Sequence, residues 1–458
     1  MDNKQVNQAV QKADLSLIRF LYCDTNSIIR GKSVPAAQLQ RRMMDGVGLS
    51  RALLAVNSLD ELQPVDEMTP VGEVRLLPDL DTFTILPYAE RAGALLCDIV
   101  QLDGEPWAAC ARSFLKRVCH QIAGQGLEVQ VSFEMEYTLA AKTDDGYRPF
   151  DQTLCYSSVA LQATHAFSLD LVHALEQQGM VVELCHPELS PGQHEISVRH
   201  SDAVRAADNQ VRLRETIRAV AADHGLYASF APKPFAPQQV AQYIGNGSHI
   251  HLSLWDKNGR NIFYDPTAPH GFSAKGLSFL AGILHHLPGL AALTCASVNS
   301  YRRLAPHSLS GAFAIYGYDN REAALRIPSP FRSNPEGSTN LEFKAADATG
   351  NPYLALGALL VAGLDGLKRE LDPGPPVNLD PDTLSEDQIA SAAYQAGGIR
   401  RLPMTLAQAL DELQADPLLT TALGSLLSRS YMAIKRSEVA AYGSGTDEAE
   451  FAGHFYKY

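Results

Sequence analysis

A strict alternation of apolar and polar residues over residues 128–139 is the clearest structural signal in the chain. The period of two predicts a β-strand with one apolar face. Glu134 and Glu136 share its polar face, about 7 Å apart along the strand. Two carboxylates this close repel each other unless a positive group lies beside them. Taken alone, the pair is also compatible with a solvated strand surface.

Three further segments, at residues 186–199, 245–255 and 338–345, predict strands with an apolar back and a polar front. The polar fronts carry Glu188, Glu195, His249, His251, Ser253, Asn340, Glu342 and Lys344. Carboxylates with an imidazole, and no thiol among them, suit Mg²⁺ or Mn²⁺. We therefore predict that these fronts converge with Glu134 and Glu136 on one divalent-cation site.

The remaining pattern predicts an α+β protein of two domains. Short apolar runs separated by Pro and Gly predict a small β-rich domain over residues 14–104, with strands at residues 15–21, 82–88 and 94–102. Larger alternating units predict a catalytic domain over residues 105–458. Its helices are predicted at residues 108–122, at 201–223, from Asn351–Pro352 onward, and from a Pro-rich loop at 372–381 to about 442.

The charge balance disfavours two kinds of partner. The 458 residues carry 51 acidic and 38 basic side chains, a net charge of −13. Nucleic-acid and anionic-membrane binders need local positive potential, so we expect neither partner. No secretory signal pattern is visible, and no apolar run reaches the ~18 residues of a membrane span. Seven scattered cysteines without a CxxC pair indicate reduced thiols, and we expect a cytoplasmic protein.

A group of arginines accompanies the acidic residues: Arg302, Arg303, Arg321, Arg326 and Arg332. Arginine binds carboxylate and phosphate oxygens through two parallel hydrogen bonds. Beside a divalent-cation site the arginines indicate phosphoryl transfer, although surface ion pairing would explain them equally well on their own. No GxxxxGK[ST] sequence occurs and no GxGxxG follows a predicted strand, so neither a P-loop nor a Rossmann site is expected.

Ordered motifs across residues 14–442 resemble those of type I glutamine synthetase, and most closely its glutamate–amine ligase (γ-glutamyl amide synthetase) branch. They are FEMEY, HPELSPGQHEI, GNGSHIHLSLW, NSYRRLAP, NREAALRIP and LEFKAADATGNPYLAL. The resemblance implies a β-grasp-like N-terminal domain and a catalytic domain with a curved antiparallel sheet. It also implies a homo-oligomer, a double-ring dodecamer with active sites between subunits. The implied reaction uses ATP with Mg²⁺ or Mn²⁺ to phosphorylate the γ-carboxylate of glutamate, and an amine then displaces phosphate.

The resemblance also implies roles for individual residues. One metal ion would be held by Glu136, Glu188 and Glu195, and the other by Glu134, His249 and Glu342. Arg321 and Arg326 would neutralise the transferred phosphoryl group. The nucleotide would contact Glu183, His251 and Ser253, and glutamate would contact Arg303 and the Gly245 backbone. Asp24 would come from a neighbouring subunit and help to deprotonate the incoming amine.

Several positions depart from the family pattern in the substrate region. The flap glutamate that helps to bind ammonium falls at Leu309, the arginine that grips the substrate carboxylate falls at Lys344, and the asparagine before Gly-x-Gly falls at Ile244. Leu309 removes a counter-charge for ammonium and leaves an apolar side chain, which favours an organic amine. The adenylylation tyrosine is missing near Asn378, so we expect no regulation by nucleotidylation.

These observations favour an ATP-dependent ligase that makes a γ-glutamyl amide from an organic amine. An ammonia-using glutamine synthetase is one alternative, which Leu309 disfavours. A ligase-inactive sensor or binding homologue is another, which the intact metal and phosphate motifs disfavour. A different acid substrate also stays open because of Lys344 and Ile244. Tyr156 lies one residue from where the family has an amine-site tyrosine.

Overall fold

Two β-sheets organise the chain in the computed structural model, which describes residues 1–240, 243–305, 308–385, 387 and 399–458. The N-terminal sheet is built from β1 (Leu17–Cys23), β2 (Ile29–Pro35), β3 (Val47–Ser50), β4 (Glu73–Pro78), β5 (Thr84–Ile85) and β6 (Ala92–Val100). Its order is β2–β1–β6–β4–β3, with β5 paired to β6. Strand β1 runs parallel to β6, and the other pairs are antiparallel. A small β-rich N-terminal unit was the prediction, and the sheet confirms it.

One predicted strand of this sheet is much shorter than its apolar run suggests. Only Thr84–Ile85 of residues 82–88 pair with β6. Before them, Leu80–Thr82 form a 3-10 turn, and the Asp79 side chain caps it by accepting a hydrogen bond from the Asp81 N–H. After them, Pro87 lacks the N–H that a continuing ladder would need. Local turn chemistry therefore outweighs the apolar pattern here.

The larger sheet carries most of the predicted chemistry. Its strands are β7 (Leu127–Thr143), β8 (Gly146–Pro149), β9 (Val182–Pro187), β10 (Gln193–Val198), β11 (Ser201–Asp202), β12 (Leu226–Ser229), β13 (Ser248–Asp256), β14 (Phe313–Tyr318), β15 (Ala323–Ile327) and β16 (Leu341–Phe343). The order is β14–β15–β16–β13–β7–β10–β9, and β8, β11 and β12 also pair with β7. All pairs are antiparallel except β14 with β15. The predicted α+β fold is confirmed, but this curved sheet is mixed rather than wholly antiparallel.

Helices cover the sheets and fill the C-terminal part of the chain. They are α1 (Asn3–Lys12), α2 (Leu39–Asp45), α3 (Ala111–Ala123), α4 (Ser158–Ala163), α5 (His165–Gln177), α6 (Ala203–Asp223), α7 (Ala274–Thr294), α8 (Ser300–Arg303), α9 (Pro335–Ser338), α10 (Pro352–Arg369), α11 (Leu406–Ala415), α12 (Pro417–Leu423), α13 (Ser425–Gly443) and α14 (Asp447–Lys457). Residues 386 and 388–398, where the sequence also predicted helix, lie outside the described residues.

Side-chain caps explain where two predicted helices begin. The Asp202 side chain accepts a hydrogen bond from the Arg205 N–H, so α6 begins two residues after the predicted start. The Asn351 side chain accepts from the N–H groups of Tyr353 and Leu354, and α10 begins at the next residue, as predicted. The Pro352 ring fits there because a first-turn residue needs no N–H partner.

Helix α7 is long and apolar enough to cross a membrane by length and composition, but 72% of its most apolar window is buried within the protein. It packs closely along α10, where Gly282 faces Gly366. A Cβ added to Gly282 would collide with the Ala362 carbonyl oxygen. This packing identifies α7 as a core helix. All seven cysteines are free thiols, as the sequence predicted.

Candidate active site

Sheet register brings the predicted acidic and imidazole side chains into neighbouring rows. Side chains that face each other across adjacent strands lie about 5 Å apart at Cβ, so such pairs interact directly. The cross-strand pairs form three rows: Arg326–Glu342–His251, His249–Glu134 and Glu136–Glu195–His186. The convergence that the polar faces predicted is therefore present. We call these side chains, together with Glu188, the acidic basin.

The His249 ring lies at the centre of the acidic basin. Its Nδ1 is 3.4 Å from Glu134 Oε2 and 3.6 Å from Glu342 Oε1. Its Nε2 is 3.7 Å from Glu136 Oε1. The neighbouring His251 Nε2 lies 3.0 Å from Glu134 Oε1. Carboxylates from two strands, β7 and β16, therefore surround the two imidazoles of β13, close enough to bind a common ion.

His186 belongs to the acidic basin but was missed in the sequence. Its Nδ1 lies 3.4 Å from Glu188 Oε1, and its Nε2 lies 3.4 Å from Glu195 Oε1. The hydrogen bond to Glu195 raises the pKa of His186 to about 9. The signal was available, because His186 precedes Glu188 by two residues and so shares its side of the strand. Tyr156 also reaches this end, since its hydroxyl donates to Glu188 Oε1 at 3.1 Å.

The donor atoms of the acidic basin fit a divalent cation. Ligand atoms lie within 4.8 Å of one another in three overlapping groups: Glu134, Glu195 and His249; Glu134, His251 and Glu342; and His186, Glu188 and Glu195. Because the groups share members, they form one continuous site rather than separate ones. Carboxylate oxygens with imidazole nitrogens suit Mg²⁺ or Mn²⁺. How these ligands divide between two ions stays a prediction.

The two ends of the acidic basin differ in resident positive charge. At one end, Glu342 lies 2.7 Å from Arg326 Nε and 3.5 Å from Lys344 Nζ. Burial alone would raise the pKa of Glu342, but Lys344, the two histidines and Arg326 lower it to about 2. This end therefore keeps its carboxylate ionised without a metal ion.

The opposite end holds Glu136, Glu188 and Glu195. Burial raises the pKa of Glu136, and burial followed by repulsion from Glu195 raises the pKa of Glu188. Among the described residues, no lysine or arginine lies within ion-pair distance of these carboxylates. The positive charge beside them is that of the protonated His186 ring, so three carboxylates share one imidazolium. This excess of negative charge favours a divalent ion as the additional counter-charge.

A cavity of about 950 Å³ opens beside the acidic basin, and its volume lies in the range of small-molecule and cofactor sites. Glu183, His251 and Ser253, the residues predicted to contact nucleotide, all line it, as do Glu134 and Arg326. Glu183 pairs with Arg199 Nε at 3.0 Å on the cavity wall. The cavity thus connects the predicted nucleotide residues with the candidate metal ligands.

Arg303 and Gly245 adjoin each other next to the acidic basin. The Arg303 side chain is buried, donates from Nη1 to the Ala346 carbonyl at 3.2 Å, and brings Nη2 within 3.2 Å of His249 Nε2. Gly245 has a φ of 107°, and a Cβ there would collide with the Pro232 carbonyl oxygen and lie 3.2 Å from Arg303 Cγ. Only glycine allows the backbone to pass this close to Pro232 and to the aliphatic part of the Arg303 side chain. The pair therefore suits recognition of a carboxylate substrate.

Asp24 does not reach the acidic basin of its own chain. Its Oδ1 accepts from the N–H groups of Asn26 and Ile28 at 2.8 and 2.9 Å, and its Oδ2 pairs with Arg30 Nε at 2.7 Å. The carboxylate is buried and does not line the cavity. Its predicted contact with the amine therefore requires a second copy of the chain, and stays a prediction.

Two other predicted residues lie on loops, Leu309 before β14 and Arg321 between β14 and β15. Arg321 is exposed just before β15 and does not line the cavity. Leu309 has a φ of 51° and donates its N–H to Glu322 Oε1 at 2.9 Å. Two residues further on, a Cβ at Gly311 would lie 3.3 Å from Lys344 Cβ. The backbone after Leu309 therefore passes close to the end of the acidic basin that holds Lys344.

Comparison with known proteins identifies this arrangement. The profile of the glutamine synthetase catalytic domain matches residues 108–454, and that of the glutamine synthetase N-terminal domain matches residues 1–107. The chain belongs to the glutamine synthetase family. Members of this family are ATP-dependent ligases of glutamate that work with divalent metal ions.

Relatives within the family include both amide and glutamine synthetases. The γ-glutamylpolyamine synthetase GlnA3 of Streptomyces coelicolor is 36% identical over 95% of this chain and 92% of its own. The glutamine synthetase of Halobacterium salinarum is 31% identical over 98% of this chain and 96% of its own. A solved GmaS/ADP complex has a TM-score of 0.83 at 26% identity and covers 97% of this chain and 98% of its own. The whole chain therefore matches whole enzymes.

Proposed function

We propose that this protein joins glutamate to an organic amine in a γ-glutamyl amide. ATP phosphorylates the γ-carboxylate and leaves as ADP, the amine nitrogen attacks the resulting acyl phosphate, and phosphate leaves. The observation that carries the proposal is Leu309, an apolar residue where the family pattern has the flap glutamate that serves ammonium. An alkyl or aryl amine gains apolar contact from that exchange, whereas ammonium loses a counter-charge.

The acidic basin supports the phosphorylation step. A divalent ion bound there would neutralise negative charge on the nucleotide phosphates. Arg326, on the cavity wall, would add a fixed guanidinium near the transferred group. Arg303 and the Gly245 backbone would hold the glutamate carboxylate. Lys344 offers a point charge instead of a two-pronged guanidinium. The second carboxylate of the glutamate substrate would therefore be held less rigidly.

A neighbouring copy of the chain would complete the site. Asp24 is remote from its own basin, so its role in deprotonating the amine needs a homo-oligomer, and we propose the double-ring dodecamer implied by the family resemblance. The other partners would be the small-molecule acid and amine. We also propose a cytoplasmic location, consistent with the seven free cysteines.

Two relatives give the amine proposal independent support. The Streptomyces coelicolor relative is called a γ-glutamylpolyamine synthetase, and the GmaS/ADP complex shares the fold over nearly the full chain. Two glutamine synthetases among the relatives have similar coverage at 31 and 32% identity, below the Streptomyces coelicolor relative and above the GmaS complex. Overall similarity therefore leaves ammonia as the competing substrate, and Leu309 distinguishes the two.

The test is phosphate release from ATP and glutamate, comparing ammonium with a panel of alkyl, aryl and polyamine substrates. We expect at least one organic amine to give a higher kcat/KM than ammonium. A higher kcat/KM for ammonium than for every amine would assign a glutamine synthetase instead. No phosphate release with any acid–amine pair, in protein that still binds ADP, would assign a sensor or binding role.

A further inference from the structure

An exposed phenyl ring stands at the rim of the 950 Å³ cavity. The Phe331 side chain is 73% exposed, although it lines the cavity together with candidate metal and nucleotide residues. Single exposed apolar residues are common on protein surfaces and need no explanation by themselves. The position of Phe331 needs an explanation, because its exposed ring lines the cavity of the proposed reaction.

The loop that carries Phe331 is held in place by its own hydrogen bonds. The Phe331 N–H donates to Ser338 Oγ at 2.7 Å, and the Ser329 N–H donates to Asp319 Oδ1 at 2.9 Å. Asn340 Nδ2 donates to the Ser338 carbonyl at 2.9 Å. The backbone beneath the ring is therefore preorganised, and a ligand that covers the ring has little loop entropy to offset.

The same loop is connected to the acidic basin. Asn340 Oδ1 lies 2.8 Å from His251 Nδ1, and the other nitrogen of that ring faces Glu134. The cavity lining accordingly has two characters. Its charged residues include Glu134, His251 and Arg326, and its apolar residues include Val182, Leu184, Pro328 and Phe331. A nucleotide also combines two characters, in a charged phosphate chain and a flat aromatic base.

We propose that Phe331 stacks on the nucleobase of the bound nucleotide and so fixes the base end of ATP while the acidic basin holds the phosphates. The inference rests on the proposed function only in placing the phosphates at the acidic basin. Every base has an aromatic face, so Phe331 distinguishes a nucleotide from a bare phosphate chain rather than one base from another. Phe331 positions the nucleotide and does not touch the reacting atoms.

The experiment compares a ligand that carries a base on its phosphate chain with one that is a phosphate chain alone. Titration calorimetry measures Kd for ADP with Mg²⁺ and for inorganic tripolyphosphate with Mg²⁺, in wild type, Phe331→Ala and Phe331→Trp. Loss of base stacking should weaken ADP binding to Phe331→Ala by about 5- to 100-fold and change tripolyphosphate binding by less than about twofold. Phe331→Trp should restore ADP binding to near the wild-type value.

Met404→Ala is the matched control, because Met404 is 59% exposed and does not line the cavity. It should leave both Kd values unchanged. Unchanged ADP binding in Phe331→Ala would overturn the proposal, as would equal weakening of ADP and tripolyphosphate. Neither measurement involves an amine, so a wrong amine substrate would not affect the result. Wild type that binds neither ligand would overturn the nucleotide site and the proposed function together.

Discussion

The acidic basin and the loop around Leu309 are built by different means. The basin carboxylates lie on paired strands, where register fixes each partner, as in the pairing of Glu195 with Glu136. A one-residue slip would turn the whole polar face away, so the strands tolerate little change. Leu309 instead lies on a loop and is held by a single backbone hydrogen bond to Glu322. Its side chain can be exchanged without moving a strand, which makes this loop, the proposed amine side, the adaptable part of the site.

The segment that leads into the Leu309 loop also depends on a distant helix for support, whereas the paired strands of the acidic basin do not. Helix α8, which carries Arg303, is held by α14 at the C-terminal end of the chain. Arg302 Nε lies 2.7 Å from Glu450 Oε1, and Arg302 Nη2 lies 2.6 Å from Asp447 Oδ1. Asn299 Nδ2 also donates to Glu450 at 3.2 Å. Arg302 is therefore a structural ion-pair partner, and only its neighbour Arg303 faces the basin.

The largest expected effect on activity comes from a change in the acidic basin, which is built on paired strands. Glu134→Ala removes a carboxylate that two candidate metal groups share, and should lower kcat/KM by at least about 100-fold in the phosphate-release assay. The thermal midpoint should stay close to that of wild type, because Glu134 is partly exposed. Glu128→Gln, an exposed change on the same strand, is the control. Turnover retained by Glu134→Ala would remove this residue from the metal site.

The next largest effect, on the choice of amine, comes from a change at Leu309 in the adaptable loop. Leu309→Glu restores a carboxylate at the flap position and should raise the ratio of kcat/KM for ammonium to that for the best organic amine by about 10-fold. Leu309→Met, which keeps the residue apolar, should leave the ratio unchanged. The same ratio in Leu309→Glu as in wild type would mean that amine selection lies elsewhere in the site.

A smaller effect tests the support from α14. Glu450→Gln weakens the charge pairing that holds Arg302, and should raise KM for glutamate by about 3- to 10-fold through the adjacent Arg303. KM for ATP should stay nearly constant, because the cavity and the basin strands do not contact α14 through this residue. Glu448→Gln, exposed on the same helix, is the matched control. A parallel rise in both KM values would indicate a general loosening of the fold.

The last prediction concerns the free energy of unfolding in acid, where we expect the smallest effect on turnover. His454 of α14 is fully buried, and burial lowers its pKa to about 4. An unfolded histidine titrates near 6.5, so below that pH the unfolded chain binds a proton that the folded chain excludes. The contribution of His454 to stability is therefore complete above about pH 6.5 and decreases by about 2 kcal/mol at pH 5.

Urea unfolding at pH 7.5 and pH 5 measures this change. His454→Gln cannot take up the proton, so its stability should fall less between the two pH values than that of wild type. His165→Gln, an exposed substitution on α5, is the control and should behave like wild type. Equal pH dependence in His454→Gln and wild type would show that another group governs the acid loss.

The sequence predicted the contents of the basin better than its arrangement. Alternation over residues 128–139 placed Glu134 and Glu136 on one face, since side-chain direction in a strand is a local property. Which strands lie side by side depends on contacts between distant segments, so the pairing of Glu342 with Arg326 and His251 could be seen only in the structure.

The structure also differs from the sequence prediction where a local cap or a contact with a distant segment determines the conformation. The short β5 follows from the Asp79 cap and Pro87, which an apolar pattern does not register. Arg302 and Arg303 look equivalent in the sequence, yet helix geometry directs one to α14 and the other to His249. The parallel pairing of β14 with β15 likewise depends on how the intervening chain crosses.

The length of β7 has a consequence for biosynthesis. Glu134 leaves the ribosome 115 residues before His249, its neighbour across β13, and earlier still relative to β16. At typical translation speeds of about 5–20 residues per second, this central strand waits roughly 6 to 23 seconds for that partner. During the interval the apolar face of β7 can already pack against α3, which precedes it in the chain, but its edge toward β13 has no partner. An unpaired strand edge can pair with other chains, so newly made chains should engage holding chaperones at this stage.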